Sequence, residues 1–209
     1  MSKKTLWIAF WAVLGGVCGG IAFAYMNGAF VRNVPVPDYR MTGPADAPIR
    51  IDEFTDLQCP ACARGNEALD KIMSVYGPYI RLVFHHNPLP IHRWAVPAAV
   101  AAECAGRQGR FFPYAAKLYA TQNDWENSPK EPENFAAYAK EMGLDANAFA
   151  ACRADPSVRA IIDRDVKYAT QKHIDATPTY MVNGREYQGG KELTEGAGAF
   201  EDIVRAHAK

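Results

Sequence analysis

The hydrophobic period changes twice along the chain, and that pattern limits the fold more than any other feature. Ile49 to Phe54, IRIDEF, alternates apolar and polar residues, as a half-buried strand does. ARGNEALDKIMSVYG then places Ala68, Leu69, Ile72, Met73 and Tyr76 on one helical face, with Gly77-Pro78 as a stop. YIRLVFHHN reads as a second strand. From Ala95 to about Ile174 the period is helical throughout and alanine-rich. PAAVAAECAGRQ, FFPYAAKLYATQ, PENFAAYAKEMG, ANAFAACRA (with Asp145 as its cap) and PSVRAIIDRDVKYATQKHI each predict a helix. Beyond them a period of two returns in TPTYMVNGREYQG. Asn183-Gly184 there marks a hairpin turn, and AFEDIVRAHA closes the chain as a helix. The expectation is an α/β domain, βαβ then ββα, split by an all-helical insertion.

The N-terminus is of another kind. Lys3 and Lys4 precede Leu6 to Met26, which carries no charge and is long enough to span a bilayer as a helix. Lysines ahead of the run favour export of the remaining chain. The segment reads as a signal anchor or, through Ala22-Phe23-Ala24, as a cleaved signal peptide. Both readings place the rest outside the cytoplasm, periplasmic or otherwise extracytoplasmic, with the anchor reading tethering it to the inner membrane. Cys18 within the run reads as a small apolar residue. The expected organisation is 1–30 membrane or signal segment, 31–48 linker rich in proline, 49–93 and 175–209 the two α/β halves, and 94–174 the helical insertion. Basic and acidic residues balance at 23 each, which argues against a nucleic-acid partner.

FTDLQCPACARG sits where the first strand gives way to the first helix. A zinc site needs four ligands. Cys59 and Cys62 form a single CxxC pair, and His85, His86 and His92 lack ligand-pair spacing. A permanent staple is equally poor, because so short a loop barely constrains the unfolded chain. A redox-active dithiol remains. A helix N-terminus lowers the pKa of a cysteine placed there, and the thiolate is the attacking species in disulfide exchange. Pro60 suits the first turn, where its missing N–H is not needed.

EFTDLQCPACARG, followed far downstream by ATPTYMVNG, resembles the thioredoxin superfamily. The helical block makes the chain similar to the DsbA-like thiol-disulfide oxidoreductases, and AAECAGRQGRFF resembles their extracytoplasmic bacterial branch. The resemblance covers about residues 45–208 and implies a thioredoxin fold. It also implies roles. Cys59 is the nucleophile and Cys62 the resolving cysteine. Thr177 and Pro178 are the substrate-facing cis dipeptide, and Glu53 is a buried acid that moves protons beneath the sulfurs. Ala61 departs from the most oxidising relatives, which carry histidine there, and a less stabilised thiolate makes a weaker oxidant. Cys104 and Cys152 form either a disulfide or two buried thiols, and the likeness to relatives with a second, structural bridge favours the disulfide.

The resemblance implies an enzyme without metal or nucleotide cofactor. It would exchange disulfides with exported client proteins, as a dithiol oxidase restored by a quinone-linked membrane partner. The alternatives are a reductase or isomerase kept reduced by a membrane thiol donor, and a non-catalytic binding or holdase protein on the same fold. Strand alternation predicts that one of His85 and His86 faces the core and the other solvent. Trp94, Phe111, Phe112 and Trp125 are expected in the core or lining a groove.

Overall fold

The computed structural model describes residues 36–207. The membrane or signal segment expected over 1–30 lies outside the described residues, as does the start of the 31–48 linker. Among the described residues no helix is long and apolar enough to cross a membrane.

Among the described residues, five strands form one sheet: β1 (Met41–Thr42), β2 (Ile49–Thr55), β3 (Ile80–His86), β4 (Thr179–Val182) and β5 (Arg185–Gln188), in the order β1-β3-β2-β4-β5. β2 is central. It runs parallel to β3 in the register Ile49↔Ile80 to Thr55↔His86, and antiparallel to β4 in the register Ile51↔Val182 to Phe54↔Thr179. A parallel neighbour requires a crossover, and α1 (Pro60–Tyr76) supplies it, burying Cys62, Gly65, Leu69 and Ile72. β4 and β5 form the hairpin that Asn183-Gly184 predicts. Both turn residues have positive φ, 47° and 87°, as the tight primed turn demands. α8 (Gly189–Gly196) and α9 (Gly198–His207) complete the unit, and α8 packs on α1. Sequence periodicity leaves α8 unassigned, since GGKELTEG offers a single large apolar residue, the fully buried Leu193.

Between β3 and β4 lie α2 (Ala95–Gly106), α3 (Phe111–Ala120), α4 (Gln122–Trp125), α5 (Asn134–Glu141), α6 (Ala146–Ala154) and α7 (Pro156–Gln171). α2 is buried on nearly every face, through Ala95, Ala98, Ala99, Ala101, Ala102 and Ala105. Alanines let α3, α6 and α7 all pack against it. The aromatic core around it takes Tyr114, Trp125, Phe135 and Phe149. Buried polar edges are satisfied, as interior donors must be: Tyr114 Oη donates to Phe135 O at 2.6 Å and Trp125 Nε1 to Leu118 O at 3.1 Å.

Two expectations need correction. Residues 38–42 are not linker. Asp38–Arg40 form a 3₁₀ turn and Met41–Thr42 pair with Leu82 and Val83. Arg40 is 1% exposed and ion-paired with both Glu103 and Asp165. Glu103 also meets His86 Nε2 at 3.0 Å and the Tyr39 hydroxyl at 2.7 Å. Burial pushes its carboxyl up, but His86, Arg40 and Tyr39 together outweigh that and hold it down. Proline-rich spacing carries no sign of such a network, because the partners of Arg40 lie far away in sequence. The second correction is that His85 and His86 are both buried. His85 does turn to the other face, but α7 covers that face too. The His85 ring stacks on Phe54 at 4.8 Å, lies 5.3 Å from Tyr168, and pairs with Asp52 at 2.9 Å.

Candidate active site

The end of β2 hands the chain to α1 through a tight loop, and Cys59 occupies the N-cap of α1, with extended backbone (φ −75°, ψ 122°) and Pro60 in the first turn. Its carbonyl accepts from Cys62 N at 3.0 Å and Ala63 N at 3.2 Å, so the helix starts at the nucleophile. The two sulfurs are not bonded to each other in this structure. Cys59 is 7% exposed and Cys62 is fully buried one turn inside.

This asymmetry sets their chemistry. The Cys62 thiol bonded to Cys59 lowers the Cys59 pKa to about 5. Burial opposes the shift, while main-chain N–H groups of Cys62 and Ala61 assist it. Burial drives the Cys62 thiol far upward, and its bond to Cys59 adds to this. The pair therefore shares one proton near neutral pH, with the charge on the outer sulfur and the proton on the inner.

Opposite Cys59 the Thr177–Pro178 peptide is cis, and Cys59 Sγ lies 3.7 Å from Thr177 O. Pro178 O accepts from Gly189 N at 2.8 Å, and Thr179 Oγ1 donates to Ala176 O at 2.9 Å, which anchors the segment at the head of β4. Gly65 lets α1 approach this segment. A Cβ there would meet Pro178 Cγ at 2.7 Å and the Tyr180 hydroxyl at 2.6 Å.

Glu53 lies on β2, 2% exposed, and its Oε1 has no hydrogen-bond partner. Burial raises its pKa to about 8. The Thr55 hydroxyl offsets part of the shift, and Asp70 adds to it. Glu53 lines a cavity of about 230 Å³ shared with Asn66, Asp70 and Tyr119. Tyr119 bonds Thr55 Oγ1 at 2.7 Å, and burial pushes the hydroxyls of both Tyr119 and Tyr180 up, with Glu53 and Cys62 adding to the shift. The fold thus gathers Cys59, Cys62, Thr177, Pro178 and Glu53 into one region. Cys104 and Cys152 stand apart in the helical insertion, where a disulfide joins α2 to α6 with Cα atoms 5.7 Å apart.

Because Glu53 keeps its proton in the native state up to about pH 8, while the unfolded chain releases it near 4.5, the native state binds more protons between these values. Stability then falls as pH rises through that window. Glu53→Gln should be more stable than the parent at pH 7 by roughly 3 kcal/mol at most, and the gap should close at pH 4. Urea unfolding of both proteins at the two pH values checks this, and a constant gap would refute it.

Sequence reasoning missed the side chains that brace the loop before Cys59. Gln122 Nε2 donates to Leu57 O at 2.8 Å and Cys59 O at 3.1 Å, and Gln58 bridges Trp94 N and Glu126 O. A buried glutamine on a short helix gives no sequence signal. Asp56 stands three residues ahead of the CxxC, and that closeness to the motif is the one signal that could have drawn attention to it.

The thioredoxin family pattern matches residues 36–202. A Na(+)/H(+) antiporter NhaA from Herminiimonas arsenicoxydans is 34% identical over 147 residues, which cover 70% of this chain and 22% of that protein. This chain thus spans about a quarter of the length of such curated relatives. Among solved structures, α-DsbA1 from Wolbachia pipientis superposes with a TM-score of 0.71 at 22% identity, covering 81% of this chain and 92% of that one. Pseudomonas aeruginosa DsbA2 superposes at 0.63 with 25% identity, covering 78% and 94%. The chain belongs to the thioredoxin family, with a DsbA-like helical insertion.

Proposed function

We propose, from membership of the thioredoxin family, that this chain is a protein thiol-disulfide oxidoreductase working through the Cys59–Cys62 pair. The observation that carries this reading is the split between the two sulfurs. A cysteine at a helix N-cap with a pKa near 5 is ionised at neutral pH, while its partner one turn away stays protonated. A metal clamp or a permanent staple has no use for such a difference.

In the oxidase direction a client thiolate attacks Cys59 Sγ in the Cys59–Cys62 disulfide. The electron pair of that bond passes to Cys62 Sγ. A second client thiol then attacks the client sulfur of the mixed disulfide and releases Cys59 as a thiolate. Two electrons have moved from client to enzyme, and a quinone-linked membrane oxidase would remove them. Glu53, which burial keeps protonated up to about pH 8, would be the acid that gives the buried Cys62 its proton and takes it back. The Thr177 carbonyl beside Cys59 and the cis Pro178 offer an edge on which an extended client segment could lie. A low nucleophile pKa favours the oxidase, because it stabilises the reduced form.

A reductase or isomerase fed by a membrane thiol donor is the second reading, favoured by Ala61, which brings no added charge between the cysteines. An extracytoplasmic location, tethered through the N-terminal apolar run, fits both directions. The deciding measurement is the reduction potential of the couple in glutathione buffers. A value near about −120 mV supports the oxidase, and one near about −270 mV moves the assignment to a reductase.

A further inference from the structure

Asp56 is a carboxylate that neither strand pattern nor exchange chemistry accounts for. It is 1% exposed and fully hydrogen-bonded. Its Oδ1 accepts from Gln58 N at 2.7 Å, and its Oδ2 accepts from Leu89 N at 2.8 Å and from the His92 ring at 2.6 Å. An ionised carboxylate only accepts, so Nδ1 of His92 is the donor. The main chain of the same residue faces the active site. Asp56 O accepts from Cys59 N at 3.0 Å, and Asp56 N donates to Cys62 Sγ at 3.4 Å. One residue therefore ties the loop after β3 to the inner sulfur.

We propose that Asp56 and His92 are a positioning pair for the exchange reaction, holding the Asp56 main-chain N–H on Cys62 Sγ where it stabilises the negative charge that this atom carries as the Cys59–Cys62 bond breaks or re-forms. The inference rests on thiol-disulfide exchange as the reaction of this chain. When a thiolate attacks Cys59 Sγ, a new disulfide forms at Cys59, the Cys59–Cys62 bond breaks, and its electron pair becomes a thiolate at Cys62. That sulfur is fully buried, so bulk water cannot solvate it. A fixed N–H stabilises a buried anion, here beside the Thr177 and Thr55 hydroxyls that also favour the charged sulfur, and it acts in both directions because the same charge develops in each. An N–H serves this purpose only if its loop is held still. The Asp56 carboxylate pins the loop from within through Gln58 N, and from outside through Leu89 N and His92. His92 is the replaceable member, with its side chain 17% exposed and outside the core.

The test uses the full chain with glutathione as the probe. Two rates depend on charge at Cys62: attack of glutathione thiolate on the oxidised enzyme, and release of glutathione from the Cys59 mixed disulfide by Cys62. One rate does not: alkylation of Cys59 by iodoacetamide in the reduced enzyme. For His92→Ala both Cys62 rates should fall about tenfold, the scale of a weakened hydrogen bond to a charged group, while Cys59 alkylation stays within about twofold. His92→Asn, whose amide can stand where Nδ1 stands, should restore the Cys62 rates. Unchanged exchange in His92→Ala, a parallel loss of alkylation, or an Asn variant as slow as the Ala variant each overturns the proposal. Should His92→Ala not fold, Asp56→Asn, of equal volume, must show the same split, and a parallel loss there overturns it too. A parent chain that exchanges nothing with glutathione sinks the exchange reading itself and takes the positioning pair with it, a result distinct from all the others.

Discussion

Cys59→Ser should abolish disulfide exchange, and Cys62→Ser should arrest it halfway. A serine oxygen at position 59 cannot form the mixed disulfide, so oxidation of a dithiol peptide should slow on the order of a thousandfold or more. Cys62→Ser keeps the nucleophile but removes the sulfur that resolves it. The mixed disulfide should then persist and show as a higher band on a non-reducing gel that thiol reductant removes. The second variant makes a further demand. The Cys62 thiol is the largest cause of the low Cys59 pKa, and a serine hydroxyl is a different donor. Thiolate absorbance near 240 nm should therefore titrate at a pH different from the parent's value of about 5. Peptide oxidation, gel trapping and the absorbance titration are independent readouts of one assignment. A Cys59→Ser protein that still acts on its clients would leave the holdase reading standing and the enzyme reading without support.

What the sequence made legible, and what it hid, divides by the range of the interactions. β2, α1, β3 and the β4–β5 hairpin could be read because their signals are local. Ile49 and Ile51 alternate with polar residues, Leu69 and Ile72 recur at helical spacing, and Asn183-Gly184 names its own turn. Cys59 and Cys62 were visible as a pair because CxxC is a local motif, lying where the predicted strand gives way to the predicted helix. Glu53 and Pro178 were different. Nothing in their own neighbourhoods marks them, and they entered only through resemblance to the thioredoxin superfamily. The structure brings them toward the cysteines because β2 and β4 are neighbours in the sheet. The missed features are long-range polar contacts. Arg40 finds Asp165 across 125 positions, Gln122 reaches Leu57 across 65, and His92 reaches Asp56 across 36. Hydrophobic period says where apolar surface is buried, and it is silent on which buried polar groups find each other. That is why 31–48 read as linker although Arg40 is among the most buried residues of the fold. It is also why His92 entered only as a poor zinc ligand.

The same long-range logic governs the largest stability effect expected outside the active site. Cys104 and Cys152 are bridged across 48 positions, a loop that encloses α3, α4 and α5 and with them Tyr114, Trp125 and Phe135. Closing a loop of that size removes entropy from the unfolded chain worth about 4 kcal/mol in the chain-entropy model. The double variant Cys104→Ala, Cys152→Ala should lose most of this, lowering the melting temperature by roughly 8–16 °C for a domain of this size. Double substitution is the right test, because a reductant would also open Cys59–Cys62 and mix two effects. Position 104 is fully buried, so alanine there adds a small cavity cost in the same direction. Exchange activity at temperatures well below melting should be nearly unchanged, since neither cysteine contributes a group to the Cys59 region. A melting temperature within about 2 °C of the parent would mean that contacts between α2 and α6 persist in the unfolded chain and already confine it about as much as the bridge does. Lost exchange in a variant that still folds would mean instead that the helical insertion holds the loop around Cys59 through Gln122 and Gln58, and that the bridge sets how firmly it does so.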